Sequence, residues 1–188
     1  MTKFHAAWIA VLAHFLISHP AAISQEAPRE PVDYRTENYR APTPATLAGA
    51  RVVTTVDAEK MWRDKTAIFV DVMPRAPRPA NLPEGTIWRD KPRMNIPGSI
   101  WLPDTGYGET PPGITEYFRS GLARATHDDH TQLLLFYCLR DCWMSWNAAK
   151  RALALGYSNV AWYPDGVDGW TDMLLPVVDA QPAPAIAN

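Results

Sequence analysis

The chain has 188 residues, of which 47% are hydrophobic and 20% charged, and its formal net charge is −2 at pH 7. A mildly acidic chain without a block of basic residues lacks the electrostatic footprint of a nucleic-acid-binding protein. Only two cysteines are present, so a small scaffold held together by several disulfides is excluded as well. The fold must therefore depend on a hydrophobic core, and the chain is long enough to form one.

The first 24 residues have the pattern of a secretory signal peptide. Lys3 is the only charged residue there, the apolar run AAWIAVLAHFLI follows at 6–17, and Ala22 and Ser24 supply the small residues that a signal peptidase reads. The run is shorter than the about 20 apolar residues that cross a bilayer. We therefore expect residues 1–24 to be cleaved and the exported protein to have no membrane segment. An uncleaved anchor or a buried N-terminal helix is the alternative.

Residues 25–50 are rich in proline and polar side chains. This composition predicts an extended arm, because proline removes a backbone donor and disfavours helix in the residue before it. Two Tyr-Arg pairs, at 34–35 and 39–40, are candidates for fixing the arm to the domain that follows. A solvated linker is the alternative.

Residues 51–176 are predicted to form one domain of alternating strands and helices. Strands are expected at 52–53, 67–72, within 96–103, at 133–137 and at 159–163, and helices over 57–62, 114–122, 146–155 and 168–175. Asp57 is the expected cap of the first helix. Five prolines make residues 73–95 a surface excursion, and residues 177–188 are expected to be a disordered tail. This order predicts an α/β fold with a central, mostly parallel sheet and helices on both faces.

Cys138 directly follows the most apolar predicted strand, LLLFY. Ligands of parallel sheets bind at the carboxyl ends of strands. A cysteine between a strand end and a helix start faces unpaired backbone N–H groups and the positive end of the helix, which stabilise the nucleophilic thiolate. The same groups would hold an anionic donor or a sulfur adduct. Cys138 is therefore the candidate nucleophile.

Cys142 lies four positions further on and can attack a persulfide or mixed disulfide on Cys138, which would close a disulfide between the two. A permanent structural disulfide is the alternative, although so short a loop gains only about 2 kcal/mol. A Cu(I) site with Met144 as a further soft ligand is a weaker alternative. The histidines that would complete it, His127 and His130, precede the strand and should lie at its opposite end.

Several residues around the pair are candidates for substrate binding. Arg140 could bind an anion, and Asp71, at a neighbouring strand end, could orient the loop by accepting backbone hydrogen bonds. The full set of candidates is Arg140, Trp143, Met144, Ser145 and Asp71.

The segment from 133 to 170 resembles the rhodanese family. In that family a buried strand ends in a cysteine, and a tight loop and a helix with an ALGY-NV tail lead to a strand and a Gly-rich turn. The corresponding parts here are Cys138, the loop 139–144, residues 152–160 and DGVDGW at 165–170. Val70-Asp71-Val72 and Ile96-Pro97-Gly98 match two further motifs of the family. The resemblance implies a rhodanese-like domain that acts on a small sulfur-containing or thiol substrate.

The strings YRAPTPATLAGA and CLRDCWMSWNAAKR are similar to a periplasmic rhodanese-like subgroup with a Cys-Cys-Trp motif. That subgroup is associated with catabolism dependent on pyrroloquinoline quinone (PQQ). The similarity implies a periplasmic protein that accompanies a quinoprotein dehydrogenase, and we expect no cofactor of its own. The partners expected from sequence include neither nucleic acid nor, after signal cleavage, a membrane.

The loop departs from the family pattern in two ways. Rhodanese-fold phosphatases carry arginine six positions after the cysteine, where this chain has Met144, which argues against phosphatase activity. The glycine and basic residue of the common rhodanese loop are also missing, which argues against classical thiosulfate turnover. Two hypotheses follow. The first is a periplasmic thiol enzyme with Cys138 as nucleophile and Cys142 as resolving cysteine. The second is a non-catalytic accessory protein of a quinoprotein dehydrogenase, with a structural Cys138–Cys142 disulfide.

Overall fold

The computed structural model of the protein describes residues 27–88 and 92–185. The expected signal peptide at 1–24 lies outside the described residues. In chain order the elements are β1 (Arg51–Val52), α1 (Thr55–Asp64), β2 (Ile68–Asp71), β3 (Arg93–Asn95), β4 (Ile100–Trp101), α2 (Pro112–Thr126), β5 (Leu134–Tyr137), α3 (Trp143–Ala154), β6 (Val160–Tyr163), α4 (Gly166–Asp172) and β7 (Val178–Ala180).

Five strands form one parallel sheet in the order β1-β6-β5-β2-β4, which confirms the predicted α/β fold. The central strand β5 is buried along its whole length, as its continuous apolar sequence predicts. Tyr137 is in register with Asp71 of β2 on one side and with Tyr163 of β6 on the other. The carboxyl ends of the three central strands therefore lie at the same level, and Cys138 follows the middle one.

The two faces of the sheet carry separate hydrophobic clusters. Leu134 and Phe136 face α2 and α3, where Trp146 is fully buried. Leu135 and Tyr137 alternate with them and face α1 and α4, where Trp170 is fully buried. Burying one such side chain contributes about 1.5–3 kcal/mol, so each face holds its helix pair mainly through apolar contact.

All four predicted helices start earlier than expected, and α2 begins at Pro112 rather than 114. Thr54 caps α1, and Asp57 is the third helical residue that completes a capping box with it. Helix α3 begins at Trp143 rather than 146, because the chain turns into the helix directly from the cysteine loop. Helix α4 begins at Gly166 rather than 168 and ends at Asp172.

The structure also differs from the expected disordered tail. Strand β7 pairs antiparallel with β3, which lies inside the Pro-rich excursion 73–95. Further on, the backbone N–H of Ala183 donates to the Trp101 carbonyl at 2.8 Å, and the Tyr117 hydroxyl donates to the Ala183 carbonyl at 2.7 Å. These partners are distant in sequence, so composition alone did not indicate them. Residues 186–188 lie outside the described part of the chain.

Residues 27–50, the described part of the expected arm, run across α3. Asn147 of α3 is fully buried and fixes this segment. Its Nδ2 donates to the carbonyls of Arg35 at 2.8 Å and Gly106 at 3.0 Å, and its Oδ1 accepts from the Arg35 N–H at 2.9 Å. Trp146 Nε1 donates to the Thr46 carbonyl at 3.1 Å. Among the described residues, no helix has the length and apolar character needed to cross a membrane.

Replacing Asn147 by alanine removes its three hydrogen bonds and leaves backbone groups of the arm unpaired. We expect the free energy of unfolding to fall by about 2–3 kcal/mol, because each buried polar group left without a partner costs about 1–3 kcal/mol. Proteolysis within residues 27–44 should accelerate as well. Denaturant titration and limited proteolysis measure the two effects.

The matched control is Asn159→Ala, whose Nδ2 makes one exposed hydrogen bond of 3.4 Å to the Thr131 carbonyl. Its stability should change by less than about 0.5 kcal/mol. Equal losses in the two variants would show that Asn147 has no special part in holding the arm.

Candidate active site: a buried cysteine pair

The two cysteines lie at the carboxyl edge of the sheet. Cys138 follows β5 directly, and Cys142 is the N-cap residue of α3. The two residues are 0% and 2% exposed, and both are free thiols. The strand end and the helix start thus bring the predicted pair together in a dry environment.

Gly166 fixes the loop from the side of α4. The Val167 N–H donates to the Cys138 carbonyl at 3.1 Å, and Leu139 forms an isolated β-bridge with Gly166. Gly166 has φ +54°, and a Cβ there would lie 2.5 Å from the Cys138 carbonyl oxygen. Only glycine fits this approach, so the turn after β6 determines the position of the Cys138 backbone.

The arm covers the loop near Cys142. The Ala41 N–H donates to the Asp141 carbonyl at 3.1 Å, and the Trp143 N–H donates to the Tyr39 carbonyl at 2.9 Å. Between these bonds, Arg40 and Cys142 form an isolated antiparallel bridge. The arm therefore contributes to the burial of the cysteine pair.

The thiols of the pair differ in acidity. The hydrogen bond from Cys138 lowers the pKa of Cys142 to about 6, against the opposing effect of burial, and the backbone N–H groups of Met144 and Leu139 lower it further. Burial raises the pKa of Cys138 well above its ordinary value, and the hydrogen bond to Cys142 adds to this rise. An apparent pKa of about 6 for Cys142 therefore favours a pair that shares one proton at neutral pH, with Cys142 as the more acidic thiol.

The direction of these pKa shifts differs from the sequence argument, which expected the thiolate at Cys138. Cys142, as the N-cap residue, lies at the start of α3, where the Met144 N–H interacts with its sulfur. Cys138 is enclosed more completely, and the nearby Asp71 charge further disfavours its thiolate. The hydrogen bond with Cys138 is thus the main cause of the lowered pKa of Cys142, and the backbone N–H groups of Met144 and Leu139 add to it.

Asp71 connects the end of β2 to a residue that the sequence did not single out. Its Oδ1 accepts from the Met73 N–H at 2.8 Å, and its Oδ2 accepts from Arg93 Nε at 2.7 Å. Met73 Sδ in turn lies 3.5 Å from Cys138 Sγ. Arg93 comes from β3, and no motif or periodicity in the excursion 73–95 marked it as part of the site.

Arg140 is engaged by carboxylates around α4. Its Nη2 lies 2.6 Å from an Asp172 carboxylate oxygen and its Nε 3.7 Å from one of Asp165, and its backbone N–H donates to Asp168 Oδ2 at 3.0 Å. Its charge is therefore already balanced by neighbouring acidic groups.

The other three candidates are buried near the start of α3. The Ser145 hydroxyl bonds to the Cys142 carbonyl at 3.1 Å and accepts from Trp162 Nε1 at 3.0 Å. Trp143 Nε1 donates to the Pro42 carbonyl at 3.0 Å. Met144 is 7% exposed. Its backbone packs closely against Gly106, where an added Cβ would lie 2.6 Å from the Met144 carbonyl oxygen. The structure thus gives each of these residues close neighbours within the protein.

No group of three or more His, Cys, Asp or Glu side chains suited to holding a metal ion occurs within 27–88 and 92–185. A cavity of about 390 Å³ has Met73 and Arg93 in its wall, and Met73, which contacts Cys138, connects it to the cysteine pair. A larger cavity of about 700 Å³ is lined by residues such as Trp62 and Gly98 and shares no lining residue with it.

Fold and site together define an α/β protein with a buried thiol pair at a strand end. The sequence profile of the rhodanese-like domain matches residues 54–173, which is more than half of the chain. The chain therefore belongs to the rhodanese-like domain family, as the sequence motifs implied. No curated protein matches the chain.

Several solved structures are similar to this chain. An uncharacterized protein from Saccharomyces cerevisiae has 22% identity and a TM-score of 0.42, with 66% of this chain and 92% of that chain covered. The thiosulfate sulfurtransferase from Pseudomonas aeruginosa has 17% identity and a TM-score of 0.48, with 74% and 22% covered. The polysulfide-sulfur transferase homodimer from Wolinella succinogenes has 14% identity and a TM-score of 0.44, with 71% and 81% covered.

The shared proton predicts a specific response to substitution at Cys138. In Cys138→Ala the donor to Cys142 is lost, so the pKa of Cys142 should rise from about 6 toward the ordinary cysteine value of about 8.5. In the reduced wild type, thiolate should appear as pH rises through about 6, with one thiolate present at pH 7. Ultraviolet thiolate absorbance followed against pH measures both.

Cys138→Ser is the matched control, because its hydroxyl keeps a hydrogen-bond donor at the same place. Its thiolate should titrate closer to the wild-type value than that of the alanine variant. A thiolate that appears in wild type only above pH 8 would contradict the shared proton.

Proposed function

We propose that the protein is a periplasmic thiol enzyme of sulfur transfer or thiol–disulfide chemistry, with Cys138 as sulfur-accepting residue and Cys142 as resolving cysteine. The observation that carries this proposal is the pair of buried free thiols in a rhodanese-like domain, with Cys138 directly after β5 and Cys142 at the start of α3. A pair with one thiolate at neutral pH has both a nucleophile and a base.

The first step is uptake of sulfur. Cys138 Sγ attacks the sulfane sulfur of a donor while its proton passes to the Cys142 thiolate, which acts as the base. A new sulfur–sulfur bond forms on Cys138, and the bond within the donor breaks, so that its electron pair leaves with the rest of the donor. Cys138 then carries a persulfide anion, and Cys142 is a neutral thiol.

The second step depends on Cys142. An acceptor thiolate can take the outer sulfur from Cys138, which is sulfur transfer in the strict sense. Alternatively, Cys142 attacks Cys138 Sγ, the outer sulfur leaves as hydrosulfide with the Cys142 proton, and a disulfide closes between the two residues. An external dithiol then reduces that disulfide and returns both thiols.

Sulfur uptake tests the proposal directly. The reduced protein is exposed briefly to polysulfide or a thiosulfonate, and intact-mass spectrometry counts the sulfur atoms gained. Wild type should gain one sulfur atom and then lose it as the disulfide forms. Cys138→Ser should gain none. Cys142→Ser should take up sulfur more slowly at pH 7, because its base is lost, but should keep the persulfide longer.

A different result would favour the accessory protein with a structural disulfide. Wild type would then take up no sulfur from either donor and would return only to a disulfide that resists thiol reductants. Persulfide formation on Cys142 in the Cys138→Ser variant, at the wild-type rate, would reverse the proposed roles of the two residues.

The proposal extends to location and partner. The signal-like pattern at 1–24 supports export to the periplasm, and the similarity of the arm and cysteine loop to the PQQ-associated subgroup supports a role beside a quinoprotein dehydrogenase. We expect osmotic shock to release the protein from cells and its deletion to slow growth on alcohols. Growth equal to wild type on alcohols and on a non-alcohol carbon source would contradict the proposed partner.

A further inference from the structure

The cavity of about 390 Å³ adjoins the cysteine pair through Met73. Trp101 Nε1 donates to the Met73 carbonyl at 2.7 Å. This hydrogen bond fixes Met73, which both lines the cavity and contacts Cys138. The wall is apolar at Trp101, Tyr107 and several prolines, and its charged members are Arg75 and Arg93. No carboxylate is among the described lining residues, so the cavity favours an anion with an apolar portion.

The Arg93 guanidinium has one nitrogen bound to Asp71 and another without a hydrogen-bond partner among the described residues. Its Nε is bound to Asp71 at 2.7 Å, and its side chain is 13% exposed. Its Nη2 is buried and has no hydrogen-bond partner among the described residues. A buried charged donor without an acceptor is costly, which points to a ligand that supplies the acceptor.

Asn95 supports the interpretation that this region binds a ligand. It lies two residues after Arg93 in β3 and therefore on the same face of the strand. It is 1% exposed, and within the described part of the chain neither polar atom of its amide has a hydrogen-bond partner. Strand β3 thus presents two polar side chains with buried atoms whose hydrogen bonds are not completed from within the described structure.

We infer that Arg93 Nη2 recognises the anionic head of the sulfur donor and that this donor is an organic thiosulfonate, R–SO₂–S⁻, held in the Met73–Arg93 cavity. This inference rests on the proposed sulfur transfer. The cavity volume lies within the range of about 300–1,000 Å³ that is typical of pockets for small organic ligands. A single thiosulfate ion would leave most of this cavity empty. Sulfonyl oxygens accept from the guanidinium, and the group R contacts the apolar wall.

The reaction at this site balances without a further reagent. Cys138 Sγ bonds to the terminal sulfur of R–SO₂–S⁻ and gives its proton to the Cys142 thiolate. The bond between the terminal sulfur and the sulfonyl sulfur breaks, and its electron pair leaves with the sulfinate R–SO₂⁻. Arg93 faces the oxygens that hold this charge, so it binds substrate and leaving group alike.

The variant Arg93→Lys tests the inference, because it keeps a positive charge for Asp71 but removes the second donor. With benzenethiosulfonate, the second-order rate constant of sulfur uptake should fall about 10- to 100-fold, the size expected for one charge-assisted hydrogen bond. Formation of a mixed disulfide with a neutral aryl disulfide, which has no anionic head, should be unchanged. Calorimetric binding of benzenesulfonate, an unreactive analogue, should weaken in parallel with the rate.

Arg78→Lys is the matched control, since Arg78 is exposed in the same excursion and is not part of the cavity wall. It should behave as wild type with both reagents, and thermal unfolding should confirm that Arg93→Lys is folded. If Arg93→Lys reacts more slowly with the neutral disulfide as well, Arg93 acts on the thiols and the inference is wrong. If wild type gains no sulfur from any donor, the proposed function itself fails.

Discussion

The hydrogen bond between Cys138 and Cys142 determines what the rest of the site must do. Burial alone would raise the pKa of both thiols and leave an unreactive, neutral pair. One S–H donated to the other sulfur, with backbone N–H groups beside it, lowers the pKa of Cys142 to about 6 despite its burial. The surrounding structure keeps the two sulfurs in this relation: Gly166 fixes the Cys138 backbone, and the arm covers the start of α3.

The same enclosure restricts how a substrate reaches the pair. The arm bridges to Cys142 through its own backbone, so that part of the loop is closed by hydrogen bonds rather than by mobile side chains. Cys138, by contrast, contacts the thioether of Met73, which also belongs to the wall of a cavity. Methionine is unbranched and adapts its shape readily, so a donor can approach Cys138 by displacing one side chain. Cys138, although fully buried, is thus the cysteine that this cavity approaches, and transfer of its proton to Cys142 lets it act as the nucleophile.

The sequence predicted the features of the fold that depend on local residue patterns. The buried run of β5 and the alternation of strands and helices indicated the parallel sheet, and the position of Cys138 at a strand end followed from it. It did not predict features that depend on distant partners, such as β7, whose backbone pairs with β3. Arg93 belongs to the same class: only the fold brings β3 to the end of β2, where Asp71 holds it. The direction of the two cysteine pKa shifts is also not encoded locally, because it depends on the hydrogen bond between the two side chains and on the burial of each.

Within the described structure, the cysteine loop has no free cation that could bind an anionic sulfur donor. Six positions after Cys138 stands Met144, which is nearly buried, and Arg140 is already paired with carboxylates. A cation for the donor must therefore come from outside the loop. A guanidinium suits this task, because its five donors form a rigid fork in which one edge binds Asp71 while another remains directed elsewhere. The single ammonium group of a lysine would pair with Asp71 alone. An arginine on β3 can bind Asp71 through one nitrogen and the sulfur donor through another.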